Sequence, residues 1–206
     1  MKSASSPALV SVNLSSTDPN TTRARIISAA RVCYAHKDTV QTTMGDIAQQ
    51  ASLARATLYR HFPTREAVLM AVFREEVATF LQRFLAEVGE AESFCTYLLD
   101  FMVYSVHNAS SAPLLRTLFS EQSAIWMSQT YLSDPDTLAL TSGIFRESFL
   151  VARRVGEIAK DLELTDIVDV AVRMLLSLML IPGAAPKSEG QLRDYFDKYV
   201  IRALRP

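Results

Sequence analysis

Residues 42–65, TTMGDIAQQASLARATLYRHFPTR, contain two short amphipathic segments joined by a turn. In the first segment Thr43 is placed to cap a helix, and Asp46, three residues later, comes close to completing a capping box and complements the helix dipole. In the second segment Leu58 and Phe62 have the i, i+4 spacing of side chains on one helical face. The proline that follows disfavours helical backbone at Phe62, so this window predicts a helix, a tight turn and a second helix.

The apolar residues of the window predict how the two helices pack. Ile47, Ala48 and Ala51 form the inner face of the first helix, and Ala48 is small enough for a second helix to cross closely. A tight turn at Ser52 and Leu53 directs Leu53 back into the core. This is the pattern of a helix-turn-helix, which presents the outward side of its second helix to the DNA major groove. That side carries polar and cationic side chains: Arg55, Thr57, Tyr59, Arg60 and His61.

Positive charge is concentrated around the same window. Residues 1–65 contain eight lysines and arginines against three acidic residues, whereas residues 66–206 contain 13 against 19. A basic N-terminal third on an acidic body suggests that one end binds a polyanion, although chance clustering of solvated charges gives the same counts. Arginines on the second helix suit such a partner because the guanidinium fork fits both phosphate oxygens and guanine O6 and N7.

The remainder of the chain has a helical repeat of apolar residues and no strand alternation, which predicts an all-α fold. Residues 1–20 lack the repeat and contain two prolines, so we expect a disordered arm there. We expect a helix-turn-helix domain at 21–66 and a larger helical body at 67–206, in which the stripe from Val68 to Val88 predicts a helix of about six turns. The other predicted helices are Phe94–Asn108, Pro113–Ser120, Ala124–Leu132, Pro135–Leu162, Asp166–Leu180 and Glu189–Leu204.

Composition excludes several classes of protein. The 206 residues are 49% hydrophobic and 21% charged, which excludes a disordered chain. Only six glycines and eight prolines occur, which excludes a collagen-like chain, and the net charge of −1 excludes a polycation. Neither the N-terminus nor the apolar stretch Val168–Ile181, which Arg173 interrupts, resembles a signal core or a membrane span. We therefore expect a soluble cytoplasmic protein with no membrane partner.

The few cysteines and histidines argue against metal and redox chemistry. Two cysteines are too few for a disulfide framework or for a zinc site of the usual ligand count. Cys33 lies on a predicted core face, and a redox-sensor role for Cys95 needs an electropositive setting that the sequence does not show. His36 and His107 have no partners at metal-ligand spacing, so we expect neither a metal nor a cofactor.

A family resemblance rests on positions throughout the window and its flanks: Thr43, Asp46-Ile47-Ala48, Ala51, Leu53, Thr57-Leu58-Tyr59-Arg60-His61-Phe62, Pro63-Thr64-Arg65 and Glu66-Ala67-Val68-Leu69. With these residues the chain resembles the TetR family of one-component transcriptional regulators over about residues 22–73. Two positions depart from the family pattern. Ser52 stands where glycine is common, so the turn is either slightly strained or less left-handed, and Ala54 lacks the capping side chain that stabilises a helix start by roughly 1 kcal/mol.

The resemblance implies that the chain binds double-stranded DNA through the second helix. The first three residues of that helix, 55–57, would face base edges, and the other contact residues would bind phosphate. Arg60 is expected at the flank of this surface, and Arg23 and Arg25 either approach the adjacent strand or are solvated. The implied DNA-binding residues are Thr43, Arg55, Ala56, Thr57, Tyr59, His61 and Arg65.

Residues 93–162 are rich in aromatic side chains, some with polar tips of the kind that line small-molecule pockets. Ordinary helix packing accounts for most of them. In TetR-like proteins an effector binds among these middle helices, so the resemblance implies that a ligand tilts the long helix, changes the separation of two recognition helices and releases the operator. We expect an apolar or aromatic effector whose pocket includes Tyr97, Phe101, Tyr104, His107, Trp126, Tyr131 and Phe149.

The segment Asp166–Leu180 is apolar on almost every side and must be covered on several of them, which a second subunit would do. The resemblance points to a four-helix interface built from this segment and Glu189–Leu204 of each chain. A two-fold dimer also suits DNA binding, because paired recognition helices read the two half-sites of a near-palindromic operator.

The leading hypothesis is a homodimeric, ligand-responsive repressor of transcription. Two alternatives of other classes stay open: an all-α enzyme that uses the aromatic cavity, and a helical adaptor that binds protein through its acidic body. The enzyme is disfavoured because the sequence shows no glycine-rich phosphate loop, metal-ligand cluster or Cys/His or Ser/His/Asp spacing typical of catalysis. Helix pairs of this pattern also occur in protein–protein modules.

Overall fold

The computed structural model describes residues 21–37, 39, 41–89, 91–108, 129, 132–181 and 187–206. Within these ranges all regular secondary structure is helical, as the sequence predicts. The elements are α1 (Thr22–His36), α2 (Met44–Gln50), α3 (Arg55–His61), α4 (Arg65–Val88), α5 (Phe94–Asn108), α6 (Pro135–Gly143), α7 (Arg146–Val155), α8 (Leu164–Leu180), α9 (Glu189–Tyr199) and a 3-10 helix at Ile201–Leu204. The predicted arm at 1–20 and the predicted helix Pro113–Ser120 lie outside the described residues, as does most of Ala124–Leu132.

The first three helices pack with the start of α4 around apolar side chains. Thr21 begins α1, since its side-chain oxygen accepts a hydrogen bond from the Ala24 N–H at 3.2 Å. Helix α1 contacts both α2 and α4, and α2 contacts α3. The buried side chains are Ile26, Ile27, Ala29, Ala30, Tyr34, Ile47, Ala48, Ala51, Leu58, Phe62, Val68 and Val72. The two helices of the predicted motif are therefore held in place by burial among α1 and α4.

Helix α4 joins this group of helices to the rest of the chain. Thr64 caps its start by accepting from the Ala67 N–H at 3.1 Å, and Gly89 follows its end with a φ of 70°, which glycine adopts without steric penalty. The helix has 24 residues, and at 1.5 Å per residue it is about 36 Å long. The predicted long helix is thus confirmed, and it contacts α1, α5 and α6.

The body differs from the prediction at Pro135–Leu162, where one predicted helix is two helices, α6 and α7. Phe145, between them, is fully buried, with its ring centroid 5.2 Å from that of Phe101 and 5.3 Å from that of Tyr97. The chain therefore leaves the helical path where this ring is buried, although no proline lies between residues 136 and 162. Helix α7 ends at Val155, and Gly156 follows it with a left-handed φ of 73°. The prediction of one continuous helix over Pro135–Leu162 is therefore wrong.

The last two helices lie close to their predicted positions. Helix α8 begins at Leu164 rather than Asp166, and α9 ends at Tyr199, with the 3-10 helix completing the predicted segment. Both helices contact α5. Within the described ranges no helix has the length and apolar character that a bilayer crossing requires.

Burial determines the protonation state of both cysteine thiols. Cys95 is 4% exposed, and burial, followed by the nearby Glu157 carboxylate, raises its pKa to about 12. Cys33 is half-buried against the core, and burial raises its pKa as well. Both thiols are therefore protonated at neutral pH, which is opposite to the low-pKa thiolate of a redox sensor.

Candidate nucleic-acid interface

Helix α2 begins with a complete capping box. The Asp46 N–H donates to the Thr43 hydroxyl oxygen at 3.1 Å, and the Thr43 N–H donates to Asp46 Oδ2 at 2.9 Å. The Thr43 hydroxyl donates to the same oxygen at 2.8 Å, and the Lys37 ammonium lies 3.0 Å from Oδ1. The bond from the Thr43 backbone, then those from Lys37 and the Thr43 hydroxyl, lower the pKa of Asp46 to about 2. The predicted cap is confirmed, and both donors of Thr43 are bound to Asp46.

The turn between α2 and α3 is left-handed although it contains no glycine. Ser52 has a φ of 53°, a conformation that strains a residue with a side chain by roughly 1 kcal/mol. The Leu53 N–H donates to the Ala48 carbonyl oxygen at 2.9 Å, and the Arg25 guanidinium donates to the Ala51 carbonyl oxygen at 2.9 Å. Arg25 of α1 therefore holds the turn, a contact that the sequence did not predict.

Helix α3 buries one face and exposes the other. Leu58 is 0% and Phe62 2% exposed, whereas Tyr59 is 50% exposed. Ala54 occupies the N-cap and makes no side-chain hydrogen bond there. Five predicted contact residues lie on α3. The side chains of Arg55, Ala56 and Tyr59 are exposed, and those of Thr57 and His61 are half-buried.

The other two predicted contact residues flank α3. Thr43 is exposed at the start of α2, and Arg65 is half-buried at the first position of α4. Arg65 donates to the Thr39 carbonyl oxygen at 3.2 Å, and its Nε lies 3.6 Å from a carboxylate oxygen of Glu66. Part of the Arg65 guanidinium is thus bound to the protein.

Two arginines of α1 also have partners within the protein. Arg31 forms salt bridges with Glu75 at 3.2 Å and Glu76 at 2.8 Å, both on α4. Arg23 lies over the Phe62 ring, with 4.4 Å between the guanidinium carbon and the ring centroid. These contacts join α1 to α4 and to the end of α3.

Arg55 and Arg60 of α3 differ from these cations. Both are exposed, and neither has a hydrogen-bond, salt-bridge or ring partner among the residues that the structure describes. All five N–H donors of each guanidinium are therefore left for an external acceptor. The positive charge that is not bound within the described residues 21–65 is concentrated on α3.

An aromatic cluster lies between α4 and α5 and includes the residue that links α6 and α7. The ring centroid of Phe84 lies 5.2 Å from those of Tyr97 and Phe101, and 5.4 Å from that of Tyr104. Burial raises the pKa of Tyr97 to about 12. Phe84 is central to the cluster, but the sequence assigns it only to the apolar stripe of α4, because helical spacing does not show which rings meet.

The predicted effector-pocket residues have different exposure. Within the described ranges, Phe101, Phe149 and Tyr97 are buried. Tyr104 is half-buried and His107 is exposed. The remaining two, Trp126 and Tyr131, lie outside the described residues. The pocket therefore stays a prediction.

A charged cluster ties α4 to α6. Arg74 donates through Nε to Asp134 Oδ2 at 2.8 Å, and its Nη1 lies 3.2 Å from a carboxylate oxygen of Asp136. Asp134 also caps α6 by accepting from the N–H and the hydroxyl of Thr137. The bond from Arg74 lowers the pKa of Asp134 from its ordinary value. Arg74 directly precedes the two glutamates of α4 that bind Arg31, so one turn of α4 contacts both α1 and α6.

Helices α8 and α9 expose apolar side chains as well as burying them. Val170 of α8 is 53% exposed, and Ile181, directly after α8, is 77% exposed. Tyr199 at the end of α9 is 56% exposed. Clustered apolar exposure of this kind marks interaction surfaces when it is contiguous.

Known proteins are similar to this chain in sequence and in fold. Residues 26–72 match the family described as bacterial regulatory proteins, tetR family. Rv1255c, an uncharacterised HTH-type transcriptional regulator of Mycobacterium tuberculosis, is 25% identical over 185 residues, covering 88% of this chain and 85% of that protein.

Two solved structures share the fold over nearly the whole chain. RolR in complex with resorcinol has a TM-score of 0.68 at 16% identity, covering 89% of this chain and 87% of that one. QsdR, a transcriptional repressor of the TetR family from R. erythropolis, has a TM-score of 0.65 at 18% identity, covering 90% and 96%. At these identities the structural likeness establishes the fold, and the helix-turn-helix is the part matched by the family.

We expect the stabilising effect of the Asp46 carboxylate to disappear in acid. Its pKa is lowered in the folded state from 3.8 to about 2, so its contribution is complete above the higher value and is lost as pH falls through the lower one. Thermal unfolding of the wild type and of Asp46→Asn, measured from pH 6 to pH 2, should show the stability difference shrinking between about pH 4 and pH 2. If the stability difference between the two proteins stays constant over this pH range, the Asp46 carboxylate does not stabilise the folded state in the way proposed.

Proposed function

We propose that this chain, a DNA-binding transcriptional regulator of the TetR family, acts as a ligand-responsive repressor. The same comparisons indicate a regulator and not an enzyme. In this proposal a homodimer binds a near-palindromic operator through α3, and a small effector bound in the body releases it. Residues 21–66 form the DNA-binding domain, and residues 67–206 bind the effector and the second subunit. The observation that carries the proposal is the surface of α3, where two exposed arginines have no partner among the described residues and lie opposite a buried face.

The contacts to DNA follow from the two faces of α3. Arg55, Ala56 and Thr57 lie in the first turn, which a helix in the major groove brings nearest to the base edges. Tyr59 and His61 lie further along, where they bind phosphates at the groove wall. Arg65, at the first position of α4, adds a phosphate contact.

The capping box sets a condition on the proposed phosphate contact of Thr43. Phosphate oxygens only accept hydrogen bonds, whereas the Thr43 hydroxyl already donates to Asp46. Contact with phosphate therefore requires the hydroxyl to turn away from Asp46. The threonine would still cap α2 through its oxygen, which accepts from the Asp46 N–H.

The exposed apolar residues of α8 and α9 support the dimer. Val170 and Ile181 are exposed on or directly after α8, although the opposite face of the same helix is buried in its own subunit. A second copy that packs α8 and α9 against their symmetry mates would cover both residues and Tyr199. The four-helix arrangement would also hold the two α3 helices at a fixed separation, as paired half-sites require.

The aromatic cluster and the Arg74 contact support control by an effector. The rings at the edge of the cluster, Tyr104 and Phe80, are half-buried and lie 5.4 Å apart, which suits stacking with an aromatic ligand. Movement of α6 on ligand binding would act on α4 through Arg74 and Asp134. Since RolR, which shares the fold, is known in complex with resorcinol, small phenols are a reasonable first set of candidates.

We expect Arg55→Ala and Tyr59→Ala to impair DNA binding in different ways. Selection of bound sequences from random DNA gives the operator, and loss of a bidentate arginine contact should weaken binding to it by about 1–3 kcal/mol and relax the preference at one base pair. Loss of Tyr59 should weaken binding to all sequences alike, since phosphate contacts carry no base information.

Arg154→Ala, which removes an exposed cation from α7, is the control for lost positive charge in this experiment. It should leave both affinity and base preference unchanged. If Arg55→Ala and Tyr59→Ala both bind the selected operator like the wild type, α3 is not the DNA-reading helix.

We expect Val170→Asp to prevent dimer formation. A charge placed in an apolar interface without a partner is strongly unfavourable, so the variant should sediment as a monomer at concentrations where the wild type is a dimer. Leu150→Asp is the matched control, because Leu150 is equally exposed, at 52%, but lies on α7 outside the proposed interface. Dimers of Val170→Asp as stable as those of the wild type would exclude this interface.

We expect small phenols to bind the body and to release the operator. Isothermal titration calorimetry measures this binding without a label. Tyr104→Ala, which removes a half-buried ring of the cluster, should weaken phenol binding by about tenfold, whereas Leu150→Ala on α7 should not. The proposal of an aromatic effector fails if saturating phenols, resorcinol included, leave the operator affinity unchanged.

A further inference from the structure

Gly45 of α2 is a glycine that the backbone does not require. It lies at the second position of the helix, and its φ is outside the left-handed region. Every L-residue can adopt this conformation, and glycine destabilises a helix relative to alanine because it loses more freedom on folding. The reason for a glycine here is therefore found in its surroundings.

The space beside Gly45 is occupied by the guanidinium of Arg55. A Cβ atom at position 45 would lie 2.7 Å from Nη2, 3.3 Å from Cζ and 3.4 Å from Nε of Arg55. The shortest of these distances is below van der Waals contact, so the group could not stay where it is. The guanidinium thus lies against the backbone of α2 in a space that only glycine leaves open.

Among the described residues, the end of the Arg55 side chain has no hydrogen-bond or salt-bridge partner. The backbone of α2 at Gly45 lies close enough to it to limit its directions. A long side chain that is confined before binding loses less freedom when it binds, and its donors approach a base edge from a defined direction.

We propose that Gly45 is a positioning residue for base recognition, which acts through Arg55 and does not itself touch DNA. This inference rests on the proposed role of Arg55 in reading base edges. Gly45 would let the guanidinium lie along α2 and would thereby set the direction in which its fork meets the base pair.

Gly45→Ala separates this role from a role in folding. Alanine favours the helix, so the variant should fold with a melting temperature equal to or above that of the wild type. The new methyl group displaces the flexible end of Arg55 and not the backbone. The effect should therefore fall on DNA recognition.

A double-mutant cycle tests the proposal with the full-length protein. Wild type, Gly45→Ala, Arg55→Ala and the double variant are compared by selection from random DNA and by affinity for the wild-type operator. We expect Gly45→Ala to weaken operator binding by about three- to tenfold and to relax the preference at the base pair affected by Arg55→Ala. In the Arg55→Ala background the same substitution should have no further effect.

Gly190→Ala provides a matched control. Gly190 is also the second residue of a helix, α9, but a Cβ there would have no atom within 4 Å. This substitution should raise helix stability in the same way and leave base preference unchanged.

Three results would overturn the inference. If Gly45→Ala selects the same sequences as the wild type while Arg55→Ala does not, Gly45 does not position Arg55, and the proposed function stands. If Gly45→Ala weakens binding equally with and without Arg55, it acts through α2 alone. If Arg55→Ala itself leaves base preference unchanged, the proposed reading role of Arg55 fails, and the inference fails with it.

Discussion

The burial of Leu58 and Phe62 determines which side of α3 faces solvent. These side chains are one helical turn apart and nearly inaccessible, so the helix cannot rotate about its axis without exposing them. Arg55, Tyr59 and Arg60 are consequently held outward, on a helix of only seven residues that would be unstable alone. The surface proposed to read DNA is thus a consequence of core packing, and weaker packing of Phe62 or Leu58 would disturb recognition without removing any contact residue.

One turn of α4 connects this core to the body. Arg74 binds the carboxylates that begin α6, and the next two residues, Glu75 and Glu76, bind Arg31 of α1. Displacement of α6 would therefore reach α1 through adjacent residues of a single rigid helix, with no need for a long chain of contacts. This coupling would give the proposed effector a direct mechanical route to the position of α3, because α1 and α3 share one core.

The sequence predicts the helix-turn-helix well because its signals are local. The capping box of α2 lies within four residues, and Leu58 and Phe62 reveal the inner face of α3 by their spacing alone. The break between α6 and α7 has a weak local signal, the glycine at position 143, but the burial of Phe145 among rings from α5 cannot be seen in the sequence. The same is true of Arg25, whose acceptor is 26 residues away and is a backbone carbonyl that leaves no trace in the sequence.

Two local weaknesses at the start of α3 show why such distant contacts matter. Ser52 is strained in a left-handed turn, and Ala54 leaves the helix uncapped, so local interactions favour α3 less here than a glycine and a serine would. Arg25 offsets this by binding the turn from α1. Because α3 relies on tertiary contacts for its position, a change in α1 or α2 would directly affect the recognition proposed for it. Position 45 is the clearest example, since there α2 lies against the end of Arg55, a side chain proposed to read bases.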